Sequence, residues 1–195
     1  MPAKYDKFDI ATYDANPIPN WVVCMDVETG KPVYHLCEKA GDECFEWIRA
    51  SASMPMVSNV VELDGGKYLD GGMVDSIPLR KMEEFGFERN VVILTQPRGF
   101  VKKPNKLMPL VRWVMRKYPR VVEAMEKRHI GYNEALALVR EQEAAGNVFA
   151  IYPDEKLPIG HVVKDPEELR AVYNMGVAKA EQLLPQLRAW LNNEQ

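Results

Sequence analysis

Short, mainly apolar runs in the first part of the chain predict short strands separated by glycine-containing turns. Residues 22–27 and 32–36 are predicted to form two strands joined by Glu-Thr-Gly-Lys, with Gly30 available for a left-handed turn position. Residues 60–63 and 67–69 are predicted to form a second pair of short strands around an Asp-Gly-Gly turn. This part of the chain therefore contains two candidate hairpins.

Helical periodicity appears between these strands and after them. Asp42 is placed to cap a helix whose apolar side is Phe45, Ile48 and Ala52, ending before Pro55. Further along, four continuous apolar residues at 91–94 are typical of a strand buried on both faces. The other predicted elements are a helix from Pro78 to a stop at Gly86, helices at 107–118, 121–129 and 133–145, a strand at 148–152 and a helix opened by Asp165-Pro-Glu-Glu. Asn133 is predicted to cap the helix at 133–145, and Pro185 is predicted to kink or break the last helix. Strands alternating with helices indicate α/β layering.

Composition narrows the class of protein. The chain has 195 residues, 47% hydrophobic and 27% charged, which is ordinary for a globular domain. A formal net charge of −3 provides no overall argument for nucleic-acid binding. No apolar run approaches about 18 residues, and the first residues carry charge instead of an apolar signal sequence. We therefore expect a cytoplasmic protein that, at most, touches a membrane at its surface.

The three cysteines, Cys24, Cys37 and Cys44, lack the spacing of a disulfide framework or a Cys-x-x-Cys metal pair. His35 beside Cys37 could belong to a zinc site, but small buried apolar residues explain these cysteines better. The histidines at 35, 129 and 161 have no acidic partner near them in the sequence, so we interpret all three as non-catalytic.

Two Asp-Gly-Gly sequences stand six residues apart, beginning at Asp64 and Asp70. Glycine lets the backbone adopt positive φ and lets other groups approach closely, so an acid there can be presented at a sharp bend. For Asp64 we expect an ordinary hairpin turn. The two acids could also hold Ca²⁺ together with Asp75, although the closing Glu of a calcium loop is absent.

The sequence around Asp70 resembles the patatin-like phospholipase family. The similar segments are Val23-Cys-Met-Asp-Val-Glu-Thr-Gly30, Ile48-Arg-Ala-Ser-Ala-Ser-Met-Pro55, Val60-Val-Glu-Leu63, the second Asp-Gly-Gly with the following Val-Asp-Ser-Ile-Pro-Leu, the strand Asn90-Val-Val-Ile-Leu-Thr95, and a C-terminal helical tail from Asp165 to Gly176. Their order covers most of the chain and makes it similar to the C-terminal part of a bacterial member.

The resemblance implies a three-layer α/β fold with a mostly parallel sheet. Residues 1–100 would be the C-terminal half of the catalytic domain, and residues 101–195 a mainly helical extension. Enzymes of this family cleave lipid acyl esters with a Ser–Asp dyad and need no metal or organic cofactor. By the resemblance, Asp70 is the catalytic aspartate, since a serine hydroxyl needs an adjacent base to become a good nucleophile.

The nucleophile of the dyad is missing from this sequence. The family's serine lies in a Gly-x-Ser-x-Gly elbow, and none of Ser51, Ser53, Ser58 and Ser76 is flanked by glycines at that spacing. The glycine-rich oxyanion loop is also absent. The chain is therefore expected to be inactive alone, as a truncated or mis-started polypeptide, half of a split enzyme whose N-terminal segment comes in cis or in trans, or a stand-alone protein that has lost catalysis.

A basic segment offers a second functional hypothesis. Residues 98–120 combine three aromatic residues, Phe100, Trp113 and Tyr118, with eight Lys or Arg side chains. A basic amphipathic helix with an exposed aromatic side chain can lie on an anionic lipid surface, although a solvated helix face explains the same pattern. This segment supports the alternative of a non-catalytic lipid- or protein-binding module.

Overall fold

The computed structural model describes residues 8–160 and 163–192. In chain order its elements are α1 (Ile10–Ala15), β1 (Trp21–Asp26), β2 (Pro32–Leu36), α2 (Asp42–Ser51), β3 (Val61–Leu63), β4 (Gly66–Asp70), α3 (Leu79–Glu84), β5 (Asn90–Ile93), α4 (Met108–Val114), α5 (Pro119–Ala144), β6 (Val148–Ile151) and α6 (Pro166–Asn192). A 3₁₀ turn at Gly71–Met73 follows β4. The α/β class predicted from the sequence is confirmed.

The chain divides into two compact units. Unit 1 comprises residues 1–77 and 102–134, and unit 2 comprises residues 78–101 and 135–195. The predicted change of character near residue 100 lies close to one of these crossings, but residues 102–134 cluster with the first unit. The assignment of 1–100 and 101–195 to a catalytic half and an extension stays a prediction.

Unit 1 is built around a four-stranded sheet with the strand order β2-β1-β4-β3. All three pairings are antiparallel, which corrects, for this unit, the expectation of a mostly parallel sheet. Connection length explains the β1–β2 and β3–β4 pairings, because short turns join these strands and only antiparallel neighbours can be joined that way. In the β1–β2 turn, Gly30 adopts the expected positive φ of 72°.

Strand β1 is buried on both faces. Cys24 and Met25 are each fully buried although successive side chains of a strand point to opposite faces. Cys24 packs in a cluster with Trp47 and Ala50 of α2, whereas Met25 packs in a second cluster. The second cluster contains Leu69 and Met73 together with Val111, Met115 and Val121 from α4, α5 and their connection. Helices therefore cover both faces of the sheet, so unit 1 has three layers.

Helix α2 forms where the sequence predicts it, but its details differ. Its N-cap is Gly41, without a side-chain cap hydrogen bond, and Asp42 is the first helical residue. The buried face is Cys44, Trp47 and Ala50. Ile48, which was expected on the inner face, is 42% exposed. The large Trp47 ring packs against the sheet and rotates the helix away from the face that aliphatic spacing predicts.

Helix α5 is one continuous helix where the sequence predicts two. The break was expected at Asn133, as the N-cap of a new helix. Instead the Asn133 side chain pairs with the main chain of Lys102, accepting a hydrogen bond from its N–H at 2.8 Å and donating to its carbonyl at 3.0 Å. Because the Asn133 side chain is hydrogen-bonded to Lys102, it does not cap a helix, and α5 runs through this position. Helix α6 likewise continues through Pro185, where a kink or break was predicted.

Unit 2 contains a parallel pair, β5 and β6, in register from Asn90 opposite Val148 to Ile93 opposite Ile151. The prediction that residues 91–94 are buried on both faces is wrong for the described residues, since Val91 is 42% and Ile93 75% exposed. Only one face of this two-stranded sheet is packed. Helix α6 reaches the same unit through Trp190, whose indole N–H donates to the carbonyl of Gly146 at 3.0 Å.

The three cysteines are free and buried, as the apolar interpretation predicts. Burial raises the pKa of the Cys24 thiol to about 12, and the nearby Asp70 carboxylate adds to the effect. Burial is also the main cause that raises the pKa of Cys37 to about 12. Both thiols therefore stay protonated in the folded protein under conditions where an exposed thiol ionises.

We expect stability to fall at alkaline pH in a way that depends on Cys24. Its unfolded pKa is near the ordinary 9.0, so as pH rises the unfolded chain loses this proton first. The stabilisation is complete below pH 9 and is lost between pH 9 and 12, by roughly 1 kcal/mol per pH unit for each such thiol. Urea unfolding at pH 8.5, 9.5 and 10.5 measures the slope.

The matched comparison is Cys24→Ala against Leu69→Ala, since both side chains are fully buried and only one ionises. Both variants should be less stable than the natural chain below pH 9. The decline with pH should be shallower only in Cys24→Ala. Equal slopes for the two variants would contradict the prediction.

Candidate functional site

The first Asp-Gly-Gly sequence is a tight hairpin turn, as predicted. Asp64 has φ of 48° and Gly65 has φ of 76°, and Leu63 pairs with Gly66 across the ladder. Two successive residues with positive φ between paired strands are the geometry of a two-residue hairpin loop, for which Asp-Gly is a favoured sequence. Asp64 therefore has a structural explanation that requires no ligand.

The second sequence has a different geometry. Asp70 is the last residue of β4 and the N-cap of the 3₁₀ turn. Its Oδ1 accepts a hydrogen bond from the Gly72 N–H at 2.7 Å, and its own N–H donates to the carbonyl of Ser53 at 2.9 Å. Within the part of the chain that the structure describes, no group donates a hydrogen bond to Oδ2. The turn thus holds one of the two carboxylate oxygens in place.

Gly71 explains why the turn needs glycine at its first position. A Cβ atom at this residue would lie 2.3 Å from the carbonyl oxygen of Val23, far inside van der Waals contact. The obstacle is the main chain of β1, in the middle of the sheet, which cannot move aside without disturbing its pairing. The second Asp-Gly-Gly therefore requires glycine for close packing, and the first requires it for positive φ.

Gly72 is held at both of its main-chain groups. Asp70 accepts from its N–H, while its carbonyl accepts from Arg128 Nε at 2.8 Å and from the Ser76 hydroxyl. A Cβ atom at Gly72 would lie 3.1 Å from Asp70 Oδ1 and 3.8 Å from Arg128 Nη2. Asp70 and Arg128 therefore flank the same residue. Sequence reasoning missed Arg128, because it lies 56 positions from Gly72 and no local pattern links the two.

None of the four serines is hydrogen-bonded to the Asp70 carboxylate. The hydroxyls of Ser51, Ser53 and Ser76 donate to the main-chain carbonyls of Val23, Arg49 and Gly72, respectively. Ser58 is exposed in the loop after α2. A serine whose proton is already committed to a carbonyl is a structural donor and not a nucleophile paired with a base.

The calcium alternative finds no support in the geometry. Asp64 lies in the hairpin turn, Asp70 binds the Gly72 N–H, and Asp75 Oδ2 accepts from the Tyr34 hydroxyl at 2.6 Å. Among the described residues, no three His, Cys, Asp or Glu side chains come together as a metal-binding group. The acids of this region serve three separate local purposes.

The described histidines have structural surroundings. His35 stacks on the Trp47 ring with centroids 4.2 Å apart, and His129 Nδ1 is 3.0 Å from the carbonyl of Glu126. His161 lies outside the described residues. His35 Nε2 also lies 3.9 Å from Glu43 Oε1, and the non-catalytic interpretation of the histidines stays a prediction.

The basic segment is partly neutralised. Arg112 forms an ion pair with Glu126 at 2.6 Å, and Arg120 pairs with Glu123 at 3.0 Å. Its apolar side is less well covered, since Trp113 is 68% and Leu107 61% exposed. Among the described residues, no helix is both long enough and apolar enough to span a bilayer.

Comparison with known proteins relates two parts of the chain to different families. Residues 18–82, which include Asp70 and its turn, match the model of the family described as Patatin-like phospholipase. This match supports a relationship with lipid acyl hydrolases for the N-terminal part of the chain. Residues 118–192 match a domain of unknown function, DUF6363. The resemblance at 90–95 lies outside the patatin match, and the helical tail falls in the second family.

A relative from Escherichia coli (strain K12), an uncharacterised protein called YjjU, is 28% identical over 131 residues. The aligned part is 66% of this chain but 37% of that protein. The chain thus spans little more than a third of the length of this relative.

We expect Gly71→Ala to destabilise the protein by about 1–3 kcal/mol, because the new methyl group overlaps the Val23 carbonyl. Gly131→Ala is the matched control, since Gly131 lies in α5 with nothing within 4 Å of its Cβ position. Alanine should stabilise that site by up to about 1 kcal/mol. Chemical denaturation of both variants measures the difference, and a Gly71→Ala variant as stable as the natural chain would refute the packing argument.

Proposed function

We propose that this chain supplies the catalytic aspartate of a patatin-like lipid acyl hydrolase, with the nucleophilic serine provided by a segment outside these 195 residues, in cis or in trans. The observation that carries the proposal is the geometry of Asp70 within the stretch that matches the family. The turn fixes Oδ1 on the Gly72 N–H and leaves Oδ2 without a hydrogen bond from the described residues.

In the proposed reaction, Asp70 acts as the general base. It accepts the proton of the serine hydroxyl as the oxygen attacks the ester carbonyl, and a tetrahedral intermediate forms. Collapse of the intermediate breaks the ester bond, the alcohol leaves with a proton, and an acyl-serine remains. Water, deprotonated by Asp70, then releases the fatty acid. The proposed substrate is a lipid acyl ester, and no metal or organic cofactor enters these steps.

The fixed turn has a catalytic purpose in this mechanism. A carboxylate is an effective base only when one oxygen is held within hydrogen-bond reach of the hydroxyl. The bond from the Gly72 N–H prevents the carboxylate from rotating, and the contact of Gly71 with β1 prevents the turn from shifting. The Gly-Gly pair also leaves space through which the segment carrying the serine can approach.

The test replaces each aspartate of the two Asp-Gly-Gly sequences in the same background, which is the protein isolated with whatever sequence naturally accompanies this chain. Asp70→Asn should lower hydrolysis of a p-nitrophenyl ester by about 100-fold or more. Asp64→Asn is the matched control and should leave the rate unchanged, because asparagine tolerates the positive φ of that turn.

The 195-residue chain by itself should show no turnover, and its intact mass of 22.3 kDa can be compared with that of the natural protein. Turnover by the chain alone that disappears in Asp70→Asn would overturn the need for an external serine. Full activity of Asp70→Asn in the natural protein would overturn the role of Asp70.

A second candidate, a lipid-binding module without catalysis, is favoured by the surface of α4. Leu107, Leu110 and Trp113 are spaced to share one side of this helix and are 61%, 45% and 68% exposed. Arg116 lies over the Trp113 ring at 5.8 Å. Exposed aliphatic and indole groups beside cations are suited to the boundary of an anionic bilayer. In either candidate, contact with the periphery of a membrane would bring the chain to lipid, and a cytoplasmic location stays a prediction.

We expect the chain to float with vesicles that contain anionic lipid and to remain behind with neutral vesicles. Trp113→Ala should reduce the recovered fraction several-fold, since its ring would enter the bilayer boundary. Tyr173→Ala is the control, because Tyr173 is an aromatic residue of α6 that is 71% exposed and is not part of the basic segment. Equal recovery from neutral and anionic vesicles would remove the membrane hypothesis.

A further inference from the structure

Arg128 contacts the Asp70 turn, and a second cation of unit 1, Lys102, lies against Tyr132, one helical turn along α5 from Arg128. Arg128 donates its Nε–H to the Gly72 carbonyl, which fixes the guanidinium and leaves its two terminal nitrogens as further donors. Lys102 lies over the ring of Tyr132, with its ammonium 4.7 Å from the ring centre. Because Tyr132 is four residues after Arg128 in α5, the two share a helix face and Lys102 is brought to the side that carries Arg128.

The position of Lys102 is set by the main chain. Both its N–H and its carbonyl are bound by the side-chain amide of Asn133. The ammonium is therefore presented from an anchored segment and not from a freely moving loop. Lys102 and Arg128 are both partly buried, unlike most basic side chains of the segment 98–120.

Neither of these two positive charges has an acidic partner among the described residues. Within 8–160 and 163–192, neither Lys102 nor Arg128 has a carboxylate within 4.0 Å, whereas Arg112 and Arg120 each have one. Burial, and then the positive charge of Arg128, lower the pKa of Lys102. The Asp70 carboxylate also lies beside Gly72 and accepts a hydrogen bond from the Gly72 N–H. A fold that holds two like charges together in this way favours any anion that can lie between them.

We propose that Lys102 and Arg128 form a binding site for a phosphate group beside the Asp70 turn. A guanidinium with free terminal N–H groups can bind two phosphate oxygens at once, and an ammonium supplies a point charge for a third. The assignment of this phosphate to the headgroup of an anionic phospholipid substrate rests on the proposed function, whereas phosphate binding itself does not.

The proposed catalytic residue and the proposed phosphate-binding arginine lie in different parts of the chain. Asp70 lies in the stretch that matches the patatin-like model, while Arg128 lies in the stretch that matches the domain of unknown function. The proposal therefore gives residues 118–192 a role in choosing the substrate, with anionic phospholipids preferred over neutral acylglycerols.

The test is a binding titration of the 195-residue chain, in which NMR or calorimetry detects the binding. The probes are inorganic phosphate, dihexanoyl phosphatidylglycerol below its micelle concentration, and octyl glucoside as an uncharged amphiphile. We expect binding of the first two and none of the third at the same site. Tighter binding of the lipid than of phosphate would support the headgroup assignment, and equal affinities would overturn that assignment.

The variants are Lys102→Met and Arg128→Gln, each expected to weaken binding about tenfold or more through loss of a charge-assisted contact. Lys103→Met and Lys127→Gln are the matched controls, being exposed neighbours of the same charge. Because Arg128→Gln also removes a hydrogen bond from the Gly72 carbonyl, Lys102→Met is the variant that tests charge without touching the turn. Undiminished binding in Lys102→Met, or an equal loss in Lys103→Met, would overturn the proposal.

Asp70→Asn separates this inference from the proposed function. It should bind phosphate at least as tightly as the natural chain, because a nearby negative charge is removed. Phosphate binding together with hydrolysis that does not depend on Asp70 would overturn the proposed function alone. Hydrolysis that depends on Asp70, with no phosphate binding, would overturn the anion site alone.

Discussion

The approach of Gly71 to the main chain of Val23 is the contact on which the Asp70 region depends. At this point the chain leaves β4 and passes so close to β1 that no side chain fits between them. Strand β1 cannot give way, because Cys24 and Met25 beside this contact are packed against helices on opposite faces of the sheet. The turn therefore packs against a rigid strand. Because the Asp70 carboxylate is hydrogen-bonded to this turn, it is held in a fixed position.

The second level of organisation joins this turn to a helix far along the chain. Arg128 reaches the Gly72 carbonyl from α5, and Asn133 on the same helix holds the main chain of Lys102. In the proposed mechanism the catalytic Asp70 is fixed by its own turn. Arg128 of α5, which lies in the stretch that matches the domain of unknown function, supports that turn. The same helix supplies the positive charge that we assign to binding, so acid and cation are positioned together and not independently.

Packing between neighbouring elements explains why two sequence patterns predicted the wrong buried face. Aliphatic spacing in α2 pointed to Ile48, but the sheet accepts the larger Trp47 ring, which stacks on His35 and contacts Tyr68. Continuous apolar residues at 91–94 indicated burial on both faces, but the two-stranded sheet of unit 2 packs only one of them. In each case the pattern identified the element correctly, and the neighbouring element decided which face is covered.

The sequence by itself determined what depends on neighbours along the chain. The Gly30 and Asp64-Gly65 turns and the opening of α6 at Asp165-Pro-Glu-Glu all follow from a few adjacent residues, since turn and cap geometry is local. What required the tertiary structure was every contact between distant segments. The sequence pattern at Asn133 is that of a helix cap, but its side chain binds the main chain of Lys102. No sequence pattern indicates that Arg128 binds the carbonyl of Gly72. Those side chains act across 31 and 56 positions, and only the packed layers bring such positions within hydrogen-bond distance.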